Sequence, residues 1–467
     1  MASEIENKYM VPTDFSVDDR LAVDGVRLGE PQRHELSAIY YDTSDLRLAA
    51  DNVALRRRTG GHDAGWHVKR YRAAGERDEV QLPIGRGGAI PAAVNAEVRA
   101  VSRGETLRPA VRMTTQRTEW PLLAEDGTVL ALVADDDVAT EVIADPAKIV
   151  RALDGRWPDR PAPAGPPGSA AAVVGEYMRA QRDAIVEYDP KVRRDEPDAV
   201  HKMRVATRRL RSTMKSYRPL WDRAATDHLR TELKWLADVL GKMRDAEVMA
   251  ARLDRELSEL PPEQVVGPVA DRLTGGLRAQ AIKDHRTLVS ALNGRRYAAL
   301  LDELDALLAA APTEQGLRPA KKYVPRRVRR TVGKVEKLLD TAEHASSGGP
   351  PLPGVVDRDT ALHEARKAAK QARYAAEAAV PVGGSGAVAL AAAMEQLQEL
   401  LGDHHDSVVT RQLLRTAGMQ AHGAGENGFT YGMLSAAEAA SAQDLEARLP
   451  AARKALRRKK VVGWLTR

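Results

Sequence analysis

The sequence predicts an α+β multidomain chain. An N-terminal antiparallel β-barrel or tunnel, complete or shortened, is followed by an all-α region of two duplicated helical bundles. Three observations predict this. Short alternating segments separated by Gly-rich turns fill the chain up to a proline-rich stretch; long Ala/Leu/Arg-rich segments with helical periodicity follow it; and within these a basic histidine signature occurs twice. At 467 residues the chain exceeds one ordinary core. It has no cysteine, which excludes disulfides and thiolate chemistry. With no apolar run of membrane-spanning length and a charged start, the expectation is a cytoplasmic protein without a membrane partner.

The alternating segments are Glu4–Tyr9, Leu55–Arg58, Trp66–Lys69, Arg77–Leu82 and Val129–Val133, with turns such as Thr59-Gly60-Gly61 between them. Residues 155–169 carry five prolines and read as a semi-rigid extended linker. Beyond it, Pro261-Pro262, residues 346–354 and Gly383-Gly384 interrupt the helical pattern. The expected organisation is therefore a front domain over 1–154, a linker over 155–170 and a helical domain over 171–467, with bundles at 171–345 and 355–467.

The first signature places His201, Arg204, Arg208, Arg211 and Lys215 on one helical stripe; the second places His363, Arg366, Lys370 and Arg373 on another, with Lys367 and Tyr374 beside it. Each is followed by a Leu-Gly pattern, Leu240-Gly241 through Arg244-Asp245 and Leu401-Gly402 through His405-Asp406. Like charges at this spacing repel, so building the stripe twice implies an anionic counterpart. The net charge of +6 divides into about −5 over residues 1–170 and about +11 over the rest. A basic back half points to a polyanion: nucleic acid, membrane surface or polyphosphate. In the front strands Glu4, Glu6 and Lys8, Arg56 and Arg58, His67 and Lys69, and Arg77, Glu79 and Gln81 occupy alternate positions, which set each group on one strand face. That pattern fits either a solvated sheet face or the polar interior of a barrel holding a charged ligand.

Glu4-x-Glu6-x-Lys8, Tyr40-Tyr41-Asp42-Thr43, Leu55 to Gly61, Gly65 to Lys69 and Arg77-Asp78-Glu79-Val80 together resemble the CYTH superfamily of triphosphate tunnel metalloenzymes. The back half resembles the CHAD domain. The similarity runs through His201 to Ser212, Leu240 to Asp245, Arg295-Arg296-Tyr297 and the 363–374 and 401–406 segments. The CYTH resemblance implies an eight-stranded tunnel in which Glu4 and Glu6 hold Mg²⁺ or Mn²⁺, and Lys8, Arg56, Arg58, Lys69 and Arg117 contact a triphosphate. The CHAD resemblance implies that inorganic polyphosphate, free or in granules, is bound by the two basic helices without a cofactor. Arg204, Arg208, Arg211, Arg366, Lys370 and Arg373 are its core contacts; His201, His363 and Tyr374 are hydrogen-bond donors, and Lys215, Arg244, Arg296 and Lys367 are further contacts.

Two departures bear on chemistry. Leu132 stands where the CYTH pattern carries an acidic residue, and the chain passes from Thr140–Ile143 almost directly to Ala147–Leu153, which resembles the terminal strand. A segment that supplies carboxylates and closes the barrel is missing, so the expectation is phosphate binding without catalysis. The alternative is a Mg-dependent triphosphatase or polyphosphate hydrolase whose CHAD half recruits substrate. Nucleic acid is disfavoured by an aromatic content of only 4%, too few rings to stack on bases. Asp403 to Asp406 is expected to act as a polar network or phosphate contact rather than a metal site. The 321–330 charge block extends the polyanion surface or is simply solvated. The tail after Arg457 is expected to fray, and Trp66 and Trp235 to serve as packing residues.

Overall fold

The computed structural model describes residue 17 and residues 25–71, 77–85, 89–143, 165–345 and 357–466. The chain divides into two compact units, Met1–Arg160 and Pro161–Arg467.

The front unit is an antiparallel sheet of β1 (Val26–Leu28), β2 (Gln32–Asp42), β3 (Val53–Thr59), β4 (Gly65–Tyr71), β5 (Arg77–Leu82), β6 (Arg108–Ala124) and β7 (Val129–Val142). The order is β1-β6-β2-β3-β4-β5, with β7 paired to the other side of β6, and among the described residues the sheet does not close. Strand alternation sorts the side chains cleanly. Leu55, Trp66 and Val68 share one face and are buried with Val94, Val98 and Val101 of the helix α2 (Ala92–Ser102). Arg56, Arg58, His67 and Lys69 share the other. Asp42 ends β2 by accepting the backbone N–H groups of Thr43, Leu48 and Ala49 at 2.7, 2.9 and 3.0 Å. Its carboxylate thereby caps the single turn α1 (Arg47–Ala50), so the Tyr-Tyr-Asp-Thr motif is structural here. The strand-like segments at Glu4–Tyr9 and Ala147–Leu153 lie outside the described residues.

The back unit is helical: α3 (Ala170–Arg193), α4 (Ala199–Ser216), α5 (Arg223–Glu259), α6 (Gly276–Asn293), α7 (Arg295–Ala309), α8 (Ala320–His344), α9 (Arg358–Ala378), α10 (Val380–Gly423) and α11 (Phe429–Leu456). Ser169 caps α3 by accepting from Ala172 N–H, as Asp222 caps α5 and Asp357 caps α9. The two halves share one core, because Leu253, Leu257 and Leu273 pack with Leu414, Tyr431 and Leu434. No helix among the described residues is long and apolar enough to cross a membrane. Helix α10 breaks at Gly384 (φ 54°, ψ −139°), a left-handed conformation that favours glycine.

The tail corrects the expectation of fraying. Val461 and Leu465 are buried, and the Trp464 indole lies where a Cβ at Gly386 would meet its Cδ1 at 2.6 Å. We therefore expect Gly386→Ala to cost about 1–3 kcal/mol through overpacking. In a Trp464→Ala background, where the clash is gone, the same change should stabilise by up to about 1 kcal/mol through helix propensity. Urea unfolding of the four proteins measures this; equal effects in both backgrounds would show that the indole does not dock there.

Candidate functional site

The basic stripe of α4 runs one residue behind a buried stripe. Met203, Thr207, Leu210 and Met214 are fully buried, which leaves Arg204, Arg208 and Arg211 half-buried at the edge of the core. Helix α9 repeats the plan, with Ala365, Ala369, Ala372 and Ala376 buried beside Arg366, Lys370 and Arg373. Those alanines let the two helices approach closely: Tyr217 Oη donates to Ala375 O at 2.8 Å, and Gln371 Nε2 to Ser216 Oγ at 3.2 Å.

The Leu-Gly patterns now have a physical meaning. Arg204 pairs with Asp245 at 2.9 Å and Arg366 with Asp406 at 3.5 Å. Each guanidinium lies against the glycine of its own pattern, since a Cβ at Gly241 would sit 3.5 Å from Arg204 and one at Gly402 3.3 Å from Arg366. An added Cβ would only touch Arg204 at Gly241, but at Gly402 it would crowd Arg366 by a few tenths of an ångström.

Lys370 stands where the two copies meet. Burial, and then Arg208, Arg366 and Arg204, push its amine down to about 7, with Asp406 opposing weakly. Burial and neighbouring cations also hold the imidazoles below their ordinary range: Arg244 acts foremost on His201, Lys367 on His363, and His363 on His405. The His363 and His405 rings are 4.3 Å apart. Several donors here are buried without a hydrogen-bond partner among the described residues: Arg208 Nε, Arg366 Nε, Arg244 Nε and His363 Nδ1. The cluster continues toward the end of α4, where partial burial, Lys334, Arg230, Arg211 and Lys367 together lower the Lys215 amine. Positive charge is thus concentrated beyond what the local carboxylates neutralise, and it can hold a multiply charged anion.

On the polar face of the front sheet most charges are instead matched. Lys69 and His67 share Glu79 at 3.0 and 2.8 Å, Arg58 pairs with Asp63 at 2.6 Å, and Arg117 makes a two-pronged pair with Asp136 at 2.6 and 2.7 Å. Arg56 is the exception, with its Nε buried and unpartnered. Arg56 and Arg117 both act against the charge on Arg58, so the three guanidinium groups are neighbours.

Family models for the CYTH domain and the CHAD domain match residues 2–145 and 176–415. The chain belongs to the CYTH–CHAD family. Uncharacterized protein Rv2226 of Mycobacterium tuberculosis strain H37Rv is 34% identical over 96% of this chain and 95% of its own length, as is uncharacterized protein MT2285 of strain CDC 1551. Two solved structures are similar in part. PptA from Streptomyces chartreusis has a TM-score of 0.48 and 20% identity, over 61% of this chain and 99% of that one. The CHAD domain from the plant Ricinus communis has a TM-score of 0.43 and 25% identity, over 64% and 97%.

Within the CHAD unit, His201, Arg204, Arg208, Arg244, His363, Arg366 and Lys370 lie together, with Arg211, Lys215 and Lys367 in the adjoining group. Lys367 is also ion-paired with Glu364. Three expected contacts are placed differently. Tyr374 is 2% exposed and its hydroxyl accepts from Arg208 Nη2 at 3.4 Å, so it positions a cation from within the core. Arg373 is held by Glu377 and Glu395 at 2.9 and 2.7 Å. Arg296 stacks over Trp235 and pairs with Glu232 at 2.6 Å; Glu232 lies two and a half turns before Gly241, on the opposite face of α5 from Arg204.

His405, within the Asp403–Asp406 segment expected as a polar network or phosphate contact, stands where Arg244 stands in the first copy when the repeats are aligned; no motif marks Arg230 or Lys334, which are brought in only by packing. His404 is buried and pairs with Glu446 at 2.9 Å, within reach of Asp359. Arg358 occupies the other Glu446 oxygen at 3.0 Å, so the polar-network reading fits this cluster better than a cation site.

In the CYTH unit Glu4, Glu6 and Lys8 lie outside the described residues. Glu79, Asp63 and Asp136 on the polar face each already neutralise a cation, and Leu132 is 65% exposed. Among the described residues of the CYTH unit, these carboxylates are thus engaged by cations of the protein itself.

The electrostatics of Lys370 are directly testable. Its charged form is disfavoured in the folded state, so its stability penalty is full below about pH 7 and fades as pH rises toward the ordinary lysine value. Lys370→Met should therefore raise the stability of the free protein more at pH 6 than at pH 10, read by urea unfolding at each pH. A gain independent of pH would show that neither burial nor the neighbouring cations depress Lys370.

Proposed function

We propose that the protein binds inorganic polyphosphate without chemical conversion, along the cationic surface that α4 and α9 of the CHAD unit share. The observation that carries this reading is the group of Arg204, Arg208, Arg366 and Lys370, with buried donors lacking partners and too few carboxylates to balance them. A chain with one charge per phosphate supplies oxygens to all of them at once. Arginine forks bridge two oxygens, whereas Lys370 acts as a point charge. Binding follows the counterion-release pattern of other polyanions and weakens as salt rises.

A second reading concerns the CYTH unit, where the unpartnered Arg56 beside Arg58 and Arg117 favours a phosphate contact on the sheet face. Hydrolysis there requires Mg²⁺ or Mn²⁺ held by Glu4 and Glu6; the metal's chemistry would be to neutralise charge developing on the transferred phosphoryl group.

Titration with long-chain polyphosphate, with released orthophosphate monitored in Mg²⁺, tests both. Arg204→Ala/Arg366→Ala should weaken binding at least about a hundredfold, since each charge-assisted contact contributes about 1.5–3 kcal/mol. Glu4→Ala/Glu6→Ala should leave binding unchanged, with no orthophosphate released by any variant. Unchanged binding in the arginine variant contradicts the first reading. Metal-dependent release lost in the glutamate variant establishes the enzymatic alternative.

A further inference from the structure

We infer that α8 carries an outlying stretch of the polyphosphate site, a cationic rail that only long chains reach; this rests on the polyphosphate reading above. Lys322, Arg326, Arg329, Arg330, Lys334 and Lys337 are all exposed. At 100° per residue they fall within an arc of about 140°, opposite the buried Val324, Val328, Val335 and Leu339. None of the six makes a side-chain hydrogen bond or ion pair among the described residues.

A solvated helix face is the ordinary explanation of such a stripe, and two features of α8 speak against it. First, the arrangement is unfavourable for the helix itself. Lys322, Arg326, Arg330 and Lys334 repeat at i,i+4, where like charges repel. The first turn contains lysines and no acid, against the helix dipole. No carboxylate occurs on α8 before Glu336, and Glu336, Asp340 and Glu343 all turn to Arg453. Nothing on the helix offsets the charge.

Second, the stripe is continuous with the site. Arg327 donates from Nε and Nη2 to Ser216 O at 2.9 and 2.6 Å, tying α8 to the end of α4. Lys334 is among the cations that depress Lys215, and it also acts on Glu364 beside Lys367. An extended anion running from the α4–α9 cluster past Lys215 meets Lys334 and then Arg330 and Arg326. A linear polymer with charge at every unit exploits such a track, whereas the three phosphates of tripolyphosphate are taken up by the cluster itself. The scarcity of aromatic side chains, 4% of the sequence, favours a ligand without bases to stack.

The test compares the full-length wild type with Lys322→Ala/Arg326→Ala/Arg330→Ala. These residues are exposed and alanine favours helix, and circular dichroism checks that the fold is kept. Tripolyphosphate, long-chain polyphosphate and duplex DNA are titrated at several salt concentrations. The expected result is unchanged tripolyphosphate affinity and a long-chain salt slope reduced by about three, one per cation removed. An unchanged long-chain isotherm overturns the inference, as does equal weakening for both chain lengths. Loss of DNA binding with long-chain polyphosphate unaffected also overturns it and assigns the rail to nucleic acid. Failure of the wild type to bind either polyphosphate removes the underlying reading as well, and is distinguished by needing no variant.

Discussion

Unbalanced positive charge, held half out of water between two packed helices, is the constraint around which the CHAD unit is arranged. Arg204, Arg208, Arg366 and Lys370 repel one another, and desolvation raises the cost of that repulsion. Each supporting feature limits the damage without cancelling it. Asp245 and Asp406 each hold one arginine, Gly241 and Gly402 give the guanidinium groups room, and the alanine face of α9 lets α4 come close enough for Tyr374 to accept from Arg208. Among the described residues Lys370 has no such partner, and burial followed by its cationic neighbours depresses its amine.

The CYTH unit uses charge in the opposite way. Its polar face carries Arg58, Lys69, His67 and Arg117, but Asp63, Glu79 and Asp136 meet them at ion-pair distance. A face neutralised in place holds a sheet together across its strands, and on it Arg56 keeps a buried Nε without a hydrogen-bond partner among the described residues. The two units therefore differ in capacity for a polyanion by their carboxylates more than by their cations.

Much of this was legible in the sequence because it is periodic. The strand alternation of β3 and β4 separated Leu55 and Val68 from Arg56 and Lys69 before any pairing was known. The repeated histidine–arginine spacing placed two cationic stripes at the edges of two helices. What stayed hidden was partner choice at long range. Nothing local says that Tyr374 turns into the core, that Glu395 joins Glu377, four residues along the same helix, in claiming Arg373, or that Glu232 draws Arg296 to the far side of α5. Arg230 and Lys334 join the site only because α5 and α8 are folded against α4. The docked C-terminal turn was likewise invisible, since Gly383-Gly384 reads only as a helix break and nothing local tells that Gly383 and Gly386 leave space for Trp464.

The most direct test of the central claim is proton uptake on binding. Calorimetric titration of long-chain polyphosphate near pH 8, in two buffers of different ionisation enthalpy, reports the protons exchanged. The unliganded Lys370 is largely neutral there, and a bound polyanion would raise its affinity for a proton. Net uptake approaching about one proton, abolished by Lys370→Met, is the predicted result. A binding heat independent of buffer in the wild type would contradict the account, because it would mean that polyphosphate does not enter the cluster where the cations are confined.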